Sequence, residues 1–138
     1  MKKVMKTLLA VIMIACFAVM STACINSNWR RVDDKLEKEG YEVEKTTNEN
    51  YIKGYLEEFE IHIEADEVEC AMAAYKGDKF IYILFCESFS AARDAKKDAK
   101  DFLELLIEAN SSEYEDYKVG RDGKVVYLGH KDAIKAAK

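Results

Sequence analysis

The sequence has no proline, six glycines and two histidines among its 138 residues. A proline-rich linker or recognition tail is therefore excluded. Acidic residues outnumber basic ones by 26 to 21, and the resulting net charge of −5 argues against a nucleic-acid partner. The apolar fraction of 49% is too high for a disordered chain, and 34% charged residues is too high for a protein that crosses a membrane several times. The length suits one domain.

Motifs that carry well-known chemistry are also missing. The sequence contains no glycine-rich phosphate loop, no Gly-x-Ser-x-Gly elbow, no His-Glu-x-x-His pair and no Ser-x-x-Lys motif. An EF-hand type calcium loop, with alternating Asp or Asn around a central glycine, is missing as well. We therefore predict a protein that is not an enzyme and that has no catalytic residues, no metal ion and no cofactor.

The amino terminus has the layout of a secretory signal. Lys2, Lys3 and Lys6 precede an unbroken apolar run over residues 8–20, and small residues follow at 21–23. As a helix, this run would rise only about 20 Å, which is less than the hydrocarbon core of about 30 Å. A leader that is cleaved is therefore favoured over a permanent membrane helix, although extension of the apolar run to Ile25 keeps the second alternative open.

The end of this leader resembles the lipobox of bacterial lipoproteins. Ala23 and Thr22 provide small residues directly before Cys24, whereas Ser21 stands where a branched apolar residue is usual. The resemblance implies removal of a signal peptide, residues 1–23, and acylation of the Cys24 sulfur. Residues 24–138 would then form one extracytoplasmic domain on the outer face of a bacterial membrane. Ordinary secretory cleavage after Ala23, which would release a soluble protein, is the rival interpretation.

Acyl chains on Cys24, such as palmitate, would make the membrane the first partner of the mature protein. Loss of three lysines and of no acidic residue would change its net charge from −5 to −8. This acidity either repels the domain from anionic headgroups or serves only solubility.

The patterns after residue 24 predict an α+β fold. We expect an antiparallel sheet of five to six strands, main helices near 28–39 and 89–109, and a short C-terminal helix. Ser27 and Ser88 are predicted to cap the two main helices, and Gly40 to end the first. A short helix over residues 48–56 is predicted to pass into a strand that contains Phe59 and Ile63.

Two hairpins are predicted in the sheet. Gly77-Asp78 connects strands 68–75 and 79–86 in a register that pairs residues whose numbers add to 155. Both faces of this hairpin are apolar, which predicts a central place in the sheet. Asp122-Gly123 is predicted to be the turn of the second hairpin, and Gly129 to end its last strand.

The register places Cys70 and Cys86 on opposite faces of the first hairpin. We therefore expect two free buried thiols, whereas a bulge that shifts the register would allow a disulfide.

The candidate binding residues are Tyr75, Phe80 and Tyr82, whose rings lie opposite small alanines and would border a shallow trough. The ligand could be an envelope protein, a peptide or a small molecule. We nevertheless expect the first helix to cover this face through Trp29, Val32 and Leu36.

Two further classes of function remain open. His62, flanked by Glu60 and Glu64 on one strand face, could serve a small metal-dependent envelope protein or enzyme. A purely structural lipoprotein is the other alternative.

Overall fold

A five-stranded antiparallel sheet with helices on both faces forms the body of the computed structural model, which describes residues 24–138. The α+β prediction is confirmed. The strands are β1 (Glu42–Thr46), β2 (Val68–Lys76), β3 (Lys79–Cys86), β4 (Tyr117–Asp122) and β5 (Val125–His130). The helices are α1 (Trp29–Lys38), α2 (Glu49–Glu58), α3 (Phe89–Ala109), α4 (Ser111–Tyr114) and α5 (Lys131–Ala137), with a 3₁₀ turn at Ala65–Glu67.

The β2–β3 hairpin occupies the centre of the sheet, whose strand order is β1-β2-β3-β5-β4. Its predicted register is confirmed from Cys70↔Phe85 to Lys76↔Lys79. Because both faces of the hairpin are apolar, each is covered by helices, and two separate clusters of buried side chains result. We call them the first core, which contains Tyr82, and the second core, which contains Ile83.

The expected cover of the Tyr82 face by the first helix is wrong. Val32 and Leu36 of α1 pack in the second core, on the opposite face, together with the C-terminal helix α5. The first core is covered by α2 and by α3, whose alanines allow close approach to the strands. Alternation along the strands defines two faces but carries no information on which helix covers which face.

The predicted strand over residues 59–63 is also wrong. The helix α2 continues to Glu58, and the chain then turns at Glu60, whose φ is 54°. Phe59 and Ile61 are buried in the first core without joining the sheet, which therefore has five strands. Phe59 and Ile61 alternate with glutamates because both side chains pack into the first core from an irregular segment.

The helix ends largely agree with prediction. Ser88 accepts a hydrogen bond from the Ala91 backbone N–H at 3.1 Å, and α3 spans the predicted residues 89–109. Gly40 follows α1 with φ of 87°, as the predicted left-handed position requires. The cap of α1 is Asn28, one residue after the predicted Ser27.

The second hairpin differs from prediction in its turn and its end. The closing pair is Asp122↔Val125, so Gly123 and Lys124 form the turn rather than Asp122 and Gly123. Gly129 does not end the strand. A Cβ atom at Gly129 would lie 2.7 Å from the Cα of Ile81, so glycine permits close contact of β5 with β3.

Candidate functional site

Cys24 lies at the surface directly beside the folded core. Its thiol is exposed, whereas Ile25 is only 3% exposed and belongs to the second core. The Ile25 backbone N–H donates a hydrogen bond to the Asp122 carboxylate at 2.8 Å. A group attached to the Cys24 sulfur would therefore lie close to the β4–β5 turn with almost no intervening tether. Within residues 24–138, no helix is long and apolar enough to cross a bilayer.

Eight aromatic rings form a continuous series of contacts on the first-core side of the sheet. We call this series the aromatic band. Adjacent ring centroids are 4.0–6.2 Å apart, in stacked, tilted and edge-on arrangements. Its members are Tyr55, Phe59, Tyr75, Phe80, Tyr82, Phe102, Tyr114 and Tyr117.

Tyr82 lies at the bottom of the aromatic band. The Phe59 ring stacks on it at 4.0 Å and the Tyr55 ring at 5.7 Å, which leaves Tyr82 only 2% exposed. The predicted trough beside the alanines is thus filled by Phe59, and Tyr82 cannot contact a ligand directly. The sequence pattern does not reveal this packing, because the alternation of Phe59 with Ile61 and Ile63 predicts a strand.

The Tyr82 hydroxyl is buried without a hydrogen-bond partner among the described residues. Burial, and then the neighbouring Tyr55 and Glu58, raise the pKa of Tyr82 far above its usual value. The hydroxyl therefore stays neutral and adds a desolvation cost to the folded state.

Tyr75 and Phe80 form the accessible rim of the aromatic band. Tyr75 is 43% exposed, and its ring stacks on the half-buried Phe80 at 6.1 Å. The Tyr117 hydroxyl donates to the Asp78 carbonyl at 3.1 Å and so connects the band to the β2–β3 turn. The rim thus offers apolar ring surface beside a phenolic hydroxyl, a combination that suits amphipathic partners.

His62 has surroundings that differ from those predicted. Its Nδ1 lies 3.3 Å from an Asp98 carboxylate oxygen, and its imidazole is 82% exposed. Glu64 borders the same surface cleft, whereas Glu60 does not, because residues 59–63 are not a strand. No group of three potential metal-ligating side chains occurs among residues 24–138. The arrangement of His62 with two glutamates on one strand face, on which the metal alternative depended, is therefore wrong.

Cys70 and Cys86 are free and buried, on opposite faces of the sheet as predicted. The register of β2 with β3 shifts between Val68 and Cys70, so Val68 is the partner of Cys86. This shift does not bring the two thiols together. Burial raises the pKa of Cys70 to about 11 and that of Cys86 to about 12. Such thiols remain protonated at neutral pH and are poor nucleophiles.

Comparison with known proteins gives no match: no family model, curated protein or solved structure shows significant similarity to this chain.

Proposed function

We propose that this chain is a non-catalytic, lipid-anchored extracytoplasmic domain that binds a partner through its aromatic band. The observation that carries the proposal is the placement of Cys24. Its exposed thiol adjoins a buried Ile25, so acylation would leave the core undisturbed and hold the domain against the bilayer. The lipobox-like residues before Cys24 support the same modification.

The rim of the aromatic band supports the binding part of the proposal. Ile25 packs on the second-core face of the sheet, whereas Tyr75 and Phe80 lie on the first-core side. An anchor at Cys24 would thus leave the rim directed away from the membrane. The partner would be an envelope protein or peptide with apolar and hydrogen-bonding groups, or a small ligand of similar character.

The anchor is tested by expressing the full chain and its Cys24→Ser variant in bacteria. We expect the unaltered protein to fractionate with membranes and to show the mass of residues 24–138 plus diacylglyceryl, and the variant to lack the diacylglyceryl mass. Cys16→Ala, a change within the same leader, is the matched control and should retain both properties. A bare Cys24 thiol in the mature unaltered protein would overturn the anchor.

The binding surface is tested by affinity capture from native membranes followed by a saturation measurement with the captured partner. Tyr75→Ala should weaken binding at least tenfold. Tyr51→Ala, which removes a more exposed tyrosine outside the aromatic band, should have no effect. Equal effects of the two variants would contradict the assignment of the rim.

The two other classes of function predict different results in the same assays. A metal-dependent protein would co-purify with a metal ion that His62→Ala removes. A purely structural lipoprotein would show no saturable binding.

A further inference from the structure

Acidic and basic residues are unevenly distributed along the chain. Residues 42–69, which include the edge strand β1, contain ten acidic residues and two lysines. Residues 117–138, which include the opposite edge strand β4, contain six basic residues and two acidic ones. Four strand spacings separate β1 from β4, which is about 19 Å. The net negative charge of the chain therefore conceals a basic segment over residues 117–138.

A cleft of about 320 Å³ between the β4–β5 hairpin and α5 concentrates this positive charge. It is lined by Val119, Tyr127 and Ile134 and by four lysines, which are Lys118, Lys131, Lys135 and Lys138. Lys131 forms an ion pair with Asp116 at 3.3 Å. The other three have no carboxylate within 4.0 Å among residues 24–138.

The cleft and Cys24 both lie beside the β4–β5 hairpin. The Ile25 backbone N–H donates a hydrogen bond to the Asp122 carboxylate of this hairpin. In the same hairpin, the Tyr127 ring lies over Gly120 and occupies the space that a Cβ atom at this position would need. The Lys138 ammonium lies 5.8 Å from the centre of that ring. Burial, followed by the neighbouring Asp122 carboxylate and Cys24 thiol, raises the pKa of Tyr127. The Tyr127 ring thus connects the β4–β5 hairpin, to which the Ile25 backbone is hydrogen-bonded, with the Lys138 side of the cleft.

We propose that this basic cleft contacts the anionic lipid headgroups of the membrane that holds Cys24, and that this contact fixes the orientation of the domain. The inference rests on the proposed acylation of Cys24. At physiological salt the Debye length is about 8 Å, so a membrane that touches the cleft interacts mainly with its lysines. Strand β1 lies about 19 Å away, and Glu69 and Glu87 line a separate cleft beside Lys124. Each lysine held at an anionic surface strengthens the contact about fivefold.

The experiment measures lysine accessibility in the purified acylated protein. The protein is reconstituted into vesicles of phosphatidylcholine, or of equal parts phosphatidylcholine and phosphatidylglycerol, and treated with a water-soluble lysine reagent. We expect Lys118, Lys135 and Lys138 to react at least fivefold more slowly on the anionic vesicles. Lys53 on α2 and Lys96 on α3 are internal controls and should react equally on both. High salt should abolish the protection without releasing the protein.

A pair of charge-reversal variants gives an independent check. Lys118→Glu should reduce the protection of Lys135 on anionic vesicles, whereas Lys96→Glu, which changes the net charge equally, should not. Equal reactivity of the cleft lysines on both vesicles would overturn the inference. Protection by inorganic phosphate on neutral vesicles would also overturn it, because the cleft would then be a site for small anions.

Failure of the anchor has a separate signature. An unacylated protein would not float with neutral vesicles. Binding of the basic cleft to anionic lipid would then be tested by flotation of that protein with anionic vesicles at low salt. Flotation sensitive to Lys118→Glu would uphold the cleft, and absence of flotation would overturn it.

Discussion

Replacement of Tyr82 by phenylalanine should make the protein more stable. The Tyr82 side chain is 2% exposed and its hydroxyl has no partner among residues 24–138. Tyr82→Phe removes only that oxygen and retains the ring that stacks on Phe59. The change therefore isolates the cost of a buried hydroxyl.

The magnitude follows from the environment of the oxygen. A buried polar group without a hydrogen bond costs about 1–3 kcal/mol relative to its hydrated state. Loss of the oxygen also leaves a small gap beside the rings, which offsets part of the gain. We expect the free energy of unfolding to increase by about 1 kcal/mol, which raises the melting temperature by about 4 °C for a domain of this size.

Tyr117→Phe is the matched control. Tyr117 belongs to the same aromatic band and is 7% exposed, but its hydroxyl donates to the Asp78 carbonyl. Its removal should decrease the free energy of unfolding by about 1 kcal/mol. Urea unfolding of the two variants, followed by circular dichroism, measures both changes. A loss of stability in Tyr82→Phe comparable with that in Tyr117→Phe would refute the reasoning.

Three further predictions concern packing and the thiols. Gly129→Ala should lower the free energy of unfolding by about 3 kcal/mol in a urea titration, because the new methyl group meets the Ile81 backbone. Urea titrations should show that the free energy of unfolding falls as pH rises from about 9 toward 12. Burial raises the pKa of Cys70 to about 11 and that of Cys86 to about 12, so the folded state holds the two thiol protons more tightly than the unfolded state does. In the mature acylated protein, a thiol reagent should find no reactive cysteine under native conditions and two in denaturant. One native reactive thiol would indicate that Cys24 is bare.

Local signals in the sequence were sufficient for much of the fold. Gly77-Asp78 between two apolar runs fixed the central register, and Ser88 with the alanine periodicity that follows it fixed α3. In both cases the determining interaction connects residues that are close in sequence: a tight turn or an N-cap. Expectations based on such contacts agree with the structure at these two places, whereas the cap of α1 and the turn of the second hairpin each lie one residue away from the predicted position.

Local sequence patterns do not predict interactions between segments that are far apart in the sequence. The position of α1 depends on which face of the sheet its Val32 and Leu36 contact, and both faces are equally apolar. The alternation of Phe59 with Ile61 and Ile63 predicts a strand, whereas in the structure the Phe59 ring covers Tyr82. The basic cleft likewise combines β4 with α5 and has no continuous signature in the sequence.

The two covered faces of the sheet also limit where function can reside. Helices bury the central strands on both sides, so the accessible features lie at the ends and edges of the sheet. The Cys24 end of the β4–β5 hairpin and the Tyr75 rim near the β2–β3 turn lie on opposite faces and at opposite ends of the strands. An anchor at the first and a partner at the second would act without competing for surface. Substitutions in the rim should therefore alter partner binding without changing the orientation of the domain at the membrane, and those in the basic cleft should alter that orientation without changing partner binding.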